Sequence, residues 1–341
     1  MRGTPSRYAH HIILIENTFR TRGHFYFHGK QWFGLLQAQY AKKYNSDIEE
    51  EFRMKIFMEN KLKIDKHNQK YEKGLVSYSQ GINKFSDMLH SEFIPTHTGF
   101  KYNRYLGTNF TSLNGTIFIL PADPIPDSKN WTAEGAVTGV KEMGFCGSCW
   151  AFSATGSLEG QVFLHKGKLI SLSEQDLVDC SESNMGCNGG RSEKAYNDIK
   201  KRGGISTAES YPYEAVNGKC RYDQKNSGAT VSGVTFIGDS EKMLTAAIAK
   251  NGPISVGIEA MESFKKYKSG VYYEPKCGER KGNIDHELLA VGYGTDKASG
   301  NDFYLLKNSF GSDWGENGYI RMARNKDHNC AITKKALYPT L

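Results

Sequence analysis

Cys146-Gly147-Ser148-Cys149-Trp150 sets two thiols three positions apart, just ahead of an apolar run that reaches Phe163. Such a pair can serve three chemistries. A redox pair wants a thioredoxin-like βαβ setting, and half a zinc site wants a second CxxC or an HxxxH. The chain offers neither. A nucleophilic thiol needs its thiolate stabilised, because a free thiol is mostly protonated at neutral pH. A helix N-terminus and a nearby imidazolium both do this, and the residues after Ser148 suit a buried helix. Downstream, His286 precedes an apolar strand and Asn308 lies in Lys307-Asn308-Ser309. Alone, His286 reads as a structural or surface histidine, and Asn308 as a turn cap.

The seven cysteines are Cys146, Cys149, Cys180, Cys187, Cys220, Cys277 and Cys330; the odd total leaves one thiol over if the others pair. Glycosylation triplets start at Asn109, Asn114 and Asn130. With the cysteines they favour an oxidising, secretory compartment and a glycoprotein. The N-terminus points the other way: Ile12-Ile13-Leu14-Ile15 is shorter than the apolar run of about 7–15 residues of a signal peptide.

A chain of 341 residues and 38.2 kDa makes two domains, or one large domain with an extension. Mean hydropathy is −0.56, and no apolar run is long enough to cross a membrane. The net charge of +7 is scattered among acids, which reads as surface charge rather than a nucleic-acid footprint.

Other elements must position these groups. Ser46 to Asn68 lacks Gly and Pro, and Glu49, Arg53, Phe57, Asn60, Ile64 and Asn68 recur at helical spacing on one face. Gly81, Asn83, Phe85 and Asp87 alternate and predict a short strand. Residues 100–128, with Pro121, Pro124 and Pro126, read as an extended linker without a core. Beyond it, helices are expected from Ser148, around Ser173–Val178 and around Ser192–Lys201. Strands are expected at Val231–Ile237, Ile254–Ile258, Glu287–Gly292, Phe303–Lys307 and Tyr319–Ala323. Helices first and strands later give an α+β fold of two lobes.

With these residues in place, the chain from about Trp32 onward resembles papain-family cysteine protease precursors of the cathepsin L type. Cys146–Trp150 matches the family's C-G-[SA]-C-[WY] signature. The face from Glu49 to Asn68 resembles the ERFNIN motif of the propeptide, and Gly81 to Asp87 its GxNxFxD motif. The resemblance implies a papain-like fold, with a helical left lobe and a β-barrel-like right lobe, behind a helical inhibitory propeptide. It divides the chain into an atypical extension (1–30), propeptide (31–120) and peptidase domain (121–341). It assigns Cys149 as nucleophile, His286 as its imidazolium partner and Asn308 as the group orienting His286. It also implies the pairs Cys146–Cys187, Cys180–Cys220 and Cys277–Cys330. Asp87 and the Glu49–Arg53 region become candidate charged contacts that weaken in acid, and processing is expected within about 115–127. No metal or organic cofactor is implied. The implied partners are polypeptide substrates, the chain's own propeptide and cystatin-type inhibitors, for a monomer in lysosomes or secreted (extracellular or gut lumen).

Four positions depart from the family. Met143 stands where a Gln side chain completes the oxyanion hole, and a thioether cannot donate. Phe310 replaces a Trp over the Asn–His contact, while Trp314 keeps the second Trp and, as a substrate-binding residue, would help wall the leaving-group side. Glu287 follows His286 in place of a small residue; it either raises the His286 pKa and narrows the pocket or turns to solvent. Lys335 lies at the base of the S2 pocket. Gly189 and Gly190 would carry the substrate backbone, and Ser192, Ile284, Glu287 and Lys335 would make S2 polar, with Glu287 and Lys335 paired. The reading is a cysteine endopeptidase zymogen weakened by Met143. The alternatives are an impaired paralogue binding peptides or inhibitors, and a propeptide-type inhibitor of sister proteases.

Overall fold

The computed structural model describes residues 23–99, 115–278, 284–327 and 329–341. The glycosylation triplet at Asn109, the Asn114 of the next triplet and the first 22 residues lie outside them. Helix α1 (Gly23–Tyr40) packs on α2 (Asp47–Glu72) around Phe33, Leu36, Met54, Phe57 and Met58. Ser46 caps α2, its Oγ accepting from Glu49 N at 3.2 Å. The motif face of α2 is more than an amphipathic surface. Asn60 Nδ2 donates to Ser86 O (2.8 Å), Asn68 bonds Gln80 through both its amide atoms (2.9 Å each), and Arg53 Nη1 reaches Asp87 O (3.3 Å) and Glu92 (2.8 Å).

The segment thus gripped is not the predicted strand. Strand β1 is Tyr78–Gln80, and the chain then turns twice, with Ser86 N bonded to Asn83 O and Met88 N to Phe85 O. Asn83 Oδ1 takes Phe85 N at 3.0 Å, a local bond that competes with any ladder. The alternation reports three side chains, Asn83, Phe85 and Asp87, buried by a turn. Helix α3 (His90–His97) follows. The linker is not wholly free: β2 (Thr116–Ile117) pairs in parallel with a later strand, and Phe118 is buried. Strand β3 is Lys129–Asn130.

Helix α4 (Cys149–Lys166) is buried along nearly its whole length and ends at Gly167, in the left-handed region at φ 66°. On one side, with α5 (Glu174–Cys180) and α6 (Ser192–Arg202), it builds a core from Trp150, Leu158, Leu177, Tyr196 and Ile199. On the other it lies against the sheet at Gly156: a Cβ there would stand 2.7 Å from the end of the Leu289 side chain, which would have to shift.

A two-stranded ladder, β4 (Ile205–Ser206) and β5 (Ser227–Ala229), precedes the second lobe. That lobe holds β6 (Gly233–Phe236), α7 (Glu241–Asn251), β7 (Ile254–Ile258), α8 (Glu262–Lys265), β8 (Tyr267–Tyr272), β9 (His286–Thr295), β10 (Asp302–Lys307), β11 (Tyr319–Ala323) and β12 (Ala336–Thr340). The strands run in the order β1-β8-β11-β10-β9-β7-β12-β6-β2, with β3 on β9. So β1, from the N-terminal segment, extends the second lobe's sheet by antiparallel pairing, Tyr78 opposite Gly270. Disulfides join Cys146–Cys187, Cys180–Cys220 and Cys277–Cys330, and Cys149 is the free cysteine.

Candidate active site

Cys149 is the first residue of α4, where backbone N–H groups lack helical partners. The turn before it is fixed by the Cys146–Cys187 bond, by Gly147 N on Cys187 O (2.9 Å) and by Ser148 Oγ on Tyr213 OH (2.6 Å). Trp150 Nε1 donates to Gly186 O at 3.2 Å. From the other lobe, His286 opens β9 and its Nε2 bonds Asn308 Oδ1 at 2.9 Å. Since Oδ1 can only accept, Nε2 is the donor, and Nδ1, buried without a hydrogen-bond partner among the described residues, keeps its lone pair in the neutral ring. Phe310 stacks on the imidazole at 5.0 Å and meets Trp314 edge-on at 5.5 Å.

The thiol is covered. Gly99 N donates to Cys149 Sγ at 3.1 Å, Glu287 N approaches it at 3.5 Å, and Gly190 N donates to Gly99 O at 2.7 Å. The segment ending at Gly99 therefore lies in the cleft with its backbone bonded as an extended substrate's would be. Only glycine fits: a Cβ on Gly99 would stand 1.7 Å from Gly147 O. Opposite, a Cβ on Gly190 would strike the Trp150 ring at 2.6 Å. Under this cover, burial and then the Glu287 charge push the Cys149 thiol up to about 12. Burial pulls His286 down to about 4, against the opposing Asn308 bond. Both groups are neutral, not an ion pair. Glu287 neither raises His286 nor turns to solvent, the two alternatives its type left open: its carboxylate is buried against Lys335.

Met143 is fully buried; its N donates to Ser309 O (2.9 Å) and its Sδ accepts from Ser309 Oγ (3.3 Å). No side-chain N–H or O–H is offered from position 143.

Ser192, Ile284, Glu287 and Lys335 do come together. Lys335 Nζ pairs with Glu287 Oε1 and stands 3.1 Å from Glu193 Oε2, while Arg191 Nε holds Glu193 Oε1 at 2.8 Å. Ser192 N points at Glu287 Oε1 (3.3 Å), and Ile284 and Lys335 both close on Gly257. Trp314 is not part of this group. It lies beneath Phe310, its Nε1 bonded to Lys265 O at 3.3 Å. Sequence reasoning missed Glu193, because an acidic residue in a helix's first turn is ordinary.

It also missed His97. This ring is buried among Phe85, Phe93, Phe145 and Phe310, two residues before Gly99. Burial, then Lys84, Lys42, His286 and Lys265, pull it down to about 3. Asp87 and Arg53, expected as charged contacts, make them within the N-terminal segment. Asp87 takes Lys42 (2.9 Å) and Tyr44 OH (2.8 Å), and Arg53 takes Glu92. Docking relies instead on Asn83 Nδ2 to Lys265 O (2.8 Å), Lys265 Nζ to Met88 O (2.6 Å), Lys84 with Glu142 and Asp313, and Lys63 with Glu262.

A lone thiol at a helix N-terminus, an imidazole–carboxamide pair on the facing sheet and a stretch of the chain's own backbone over the thiol define a thiol hydrolase held in a covered state. Comparison with known proteins is specific about which. Residues 125–340 match the papain family of cysteine proteases, and residues 33–93 match the cathepsin propeptide inhibitor domain. Cathepsin L of Sarcophaga peregrina is 51% identical over 319 residues, covering 92% of this chain and 93% of that protein. Procathepsin L of Mus musculus is 42% identical over 333 residues, covering 96% and 94%. Digestive procathepsin L 3 from the larval midgut of Tenebrio molitor superposes with a TM-score of 0.84 at 39% identity, over 92% of this chain and 99% of that one. The chain belongs to the papain family of cysteine proteases, as a zymogen of the cathepsin L type whose own propeptide occupies the cleft.

Proposed function

We propose that Cys149, His286 and Asn308 carry out peptide hydrolysis by acyl transfer. Once the propeptide leaves, the α4 N-terminus and the His286 imidazolium stabilise the Cys149 thiolate. Sγ attacks the scissile carbonyl, and His286 gives its proton to the leaving amine. It then takes a proton from the water that hydrolyses the thioester. Asn308 Oδ1 holds His286 in orientation. The Cys149 N–H serves the oxyanion without a side-chain partner from Met143, and a lost donor lowers the rate about 10²–10³-fold. The observation that carries this reading is the free thiol at the head of α4, capped by Gly99 N while Gly190 N holds Gly99 O.

The division into extension (1–30), propeptide (31–120) and peptidase (121–341) belongs to the same proposal. So do cystatin-type inhibitors as partners, a monomeric state, glycosylation, and action in lysosomes or a secreted fluid such as the gut lumen. Relatives named digestive proteinases, from Homarus americanus and the Tenebrio midgut, support the last. The test is labelling with an epoxide-type thiol inhibitor at acid pH. Label should appear on Cys149 only after the propeptide is removed, together with turnover of a peptide library. An intact, propeptide-free protein that neither labels nor cleaves refutes the reading.

A further inference from the structure

The buried polar atoms with no hydrogen-bond partner among the described residues include two beside the Lys335 ion pairs, Glu287 Oε2 and Ser192 Oγ. Buried polar atoms in native proteins are nearly always satisfied, so an exception points to a group that arrives later. These two belong to neighbouring groups, since Ser192 N already points at the other oxygen of the same carboxylate at 3.3 Å. Ser192 opens α6 on the helical lobe and Glu287 follows His286 on β9, so the two atoms belong to groups that meet where the lobes meet.

The surrounding charges limit what can be added. Arg191, Glu193, Lys335 and Glu287 form one connected network of two cations and two carboxylates. The formal charges of these four balance, so a further full charge finds no counter-ion among them. An aliphatic or aromatic side chain would leave both atoms unpaired and dehydrated. What fits is a neutral group that donates to a carboxylate oxygen and accepts from a hydroxyl. A primary carboxamide does both: its NH₂ donates to Glu287 Oε2 and its C=O accepts from Ser192 Oγ–H.

We propose that Ser192 and Glu287, held by Lys335, Glu193 and Arg191, form a subsite for the carboxamide side chain of Gln or Asn. The substrate residue is the second on the N-terminal side of the scissile bond. The inference deepens the proteolytic reading and rests on it, and on the resemblance that sets these residues at S2. Sites built to bond a polar group discriminate strongly against analogues lacking it.

The test uses acid-processed enzyme and peptides of fixed sequence carrying Gln, Asn, Leu, Phe, Arg or Glu at that position. Gln or Asn should exceed Leu and Phe in kcat/KM by about 10-fold or more. S192A should shrink that ratio, and the paired change Glu287→Ala with Lys335→Ala, which strands no partner of that pair, should invert it. The same peptides are also titrated calorimetrically against propeptide-free Cys149→Ser protein, so that the subsite is read without turnover. Cleavage with Leu or Phe favoured overturns the subsite and leaves proteolysis standing. Tighter binding of Gln than Leu with no cleavage or label in the parent enzyme overturns proteolysis and leaves the subsite. Equal binding of Gln and Leu overturns the subsite whatever the turnover.

Discussion

Replacing His97 by Phe should blunt the acid trigger of the zymogen. His97 closes α3 two residues before the Gly99 contact to Cys149, its ring buried among Phe85, Phe93, Phe145 and Phe310. It is held down to about 3 by burial, then by Lys84, Lys42, His286 and Lys265. Undocking frees it from Phe145 and Phe310 and returns it toward about 6.5. The docked state thus prefers the neutral ring. Near pH 7 neither state is protonated and His97 adds no pH dependence. Below about 6.5 only the undocked state takes the proton, so docking weakens as pH falls, and the loss levels off near 3. At about pH 4.5 the gap is roughly two pH units, about 3 kcal/mol or ~10²-fold in favour of release. A Phe keeps the aromatic contacts and removes the proton. The assay follows Cys149 labelling of full-length zymogen against pH, with one early time point taken before processing completes. Wild type should gain about 10²-fold in labelling rate from pH 6.5 to 4.5 beyond what His97→Phe gains. Superimposable profiles would refute the argument.

Two further outcomes follow from the site and its supports. Met143→Gln restores a donor where Sδ now accepts from Ser309 Oγ, and should raise kcat/KM of the processed enzyme about 10²-fold with little change in the Gln-to-Leu ratio; an unchanged rate in steady-state assays would show that Cys149 N–H suffices. Replacing Cys180 and Cys220 together by Ser removes the cross-link between α5 and the loop that follows β4, and should lower stability by about 2–5 kcal/mol in denaturant titrations while Cys149 still labels.

The chemistry was legible where its signal is local. Cys149 at the head of a helix follows from Ser148 and the apolar residues behind it, and Ile254–Ile258 and Tyr319–Ala323 lie where buried β-branched and aromatic runs put them. Sequence pattern failed where a long-range partner decides the outcome. The 81–87 segment alternates like a strand, yet Asn60, Asn68 and Arg53 on α2 hold it as turns and end the strand at Gln80. Asp87 was legible as a charged contact but its partners were not, since Lys42 and Tyr44 lie more than forty positions away. Glu193 is the sharpest case. Its type and place suit an exposed helical first turn, but Lys335 arrives from the far end of the chain to bury it with Glu287. A carboxylate beside a lysine in one lobe is unremarkable until a second carboxylate comes from the other lobe. The pocket's polarity is therefore a property of how the two lobes meet, which no single segment of the sequence expresses.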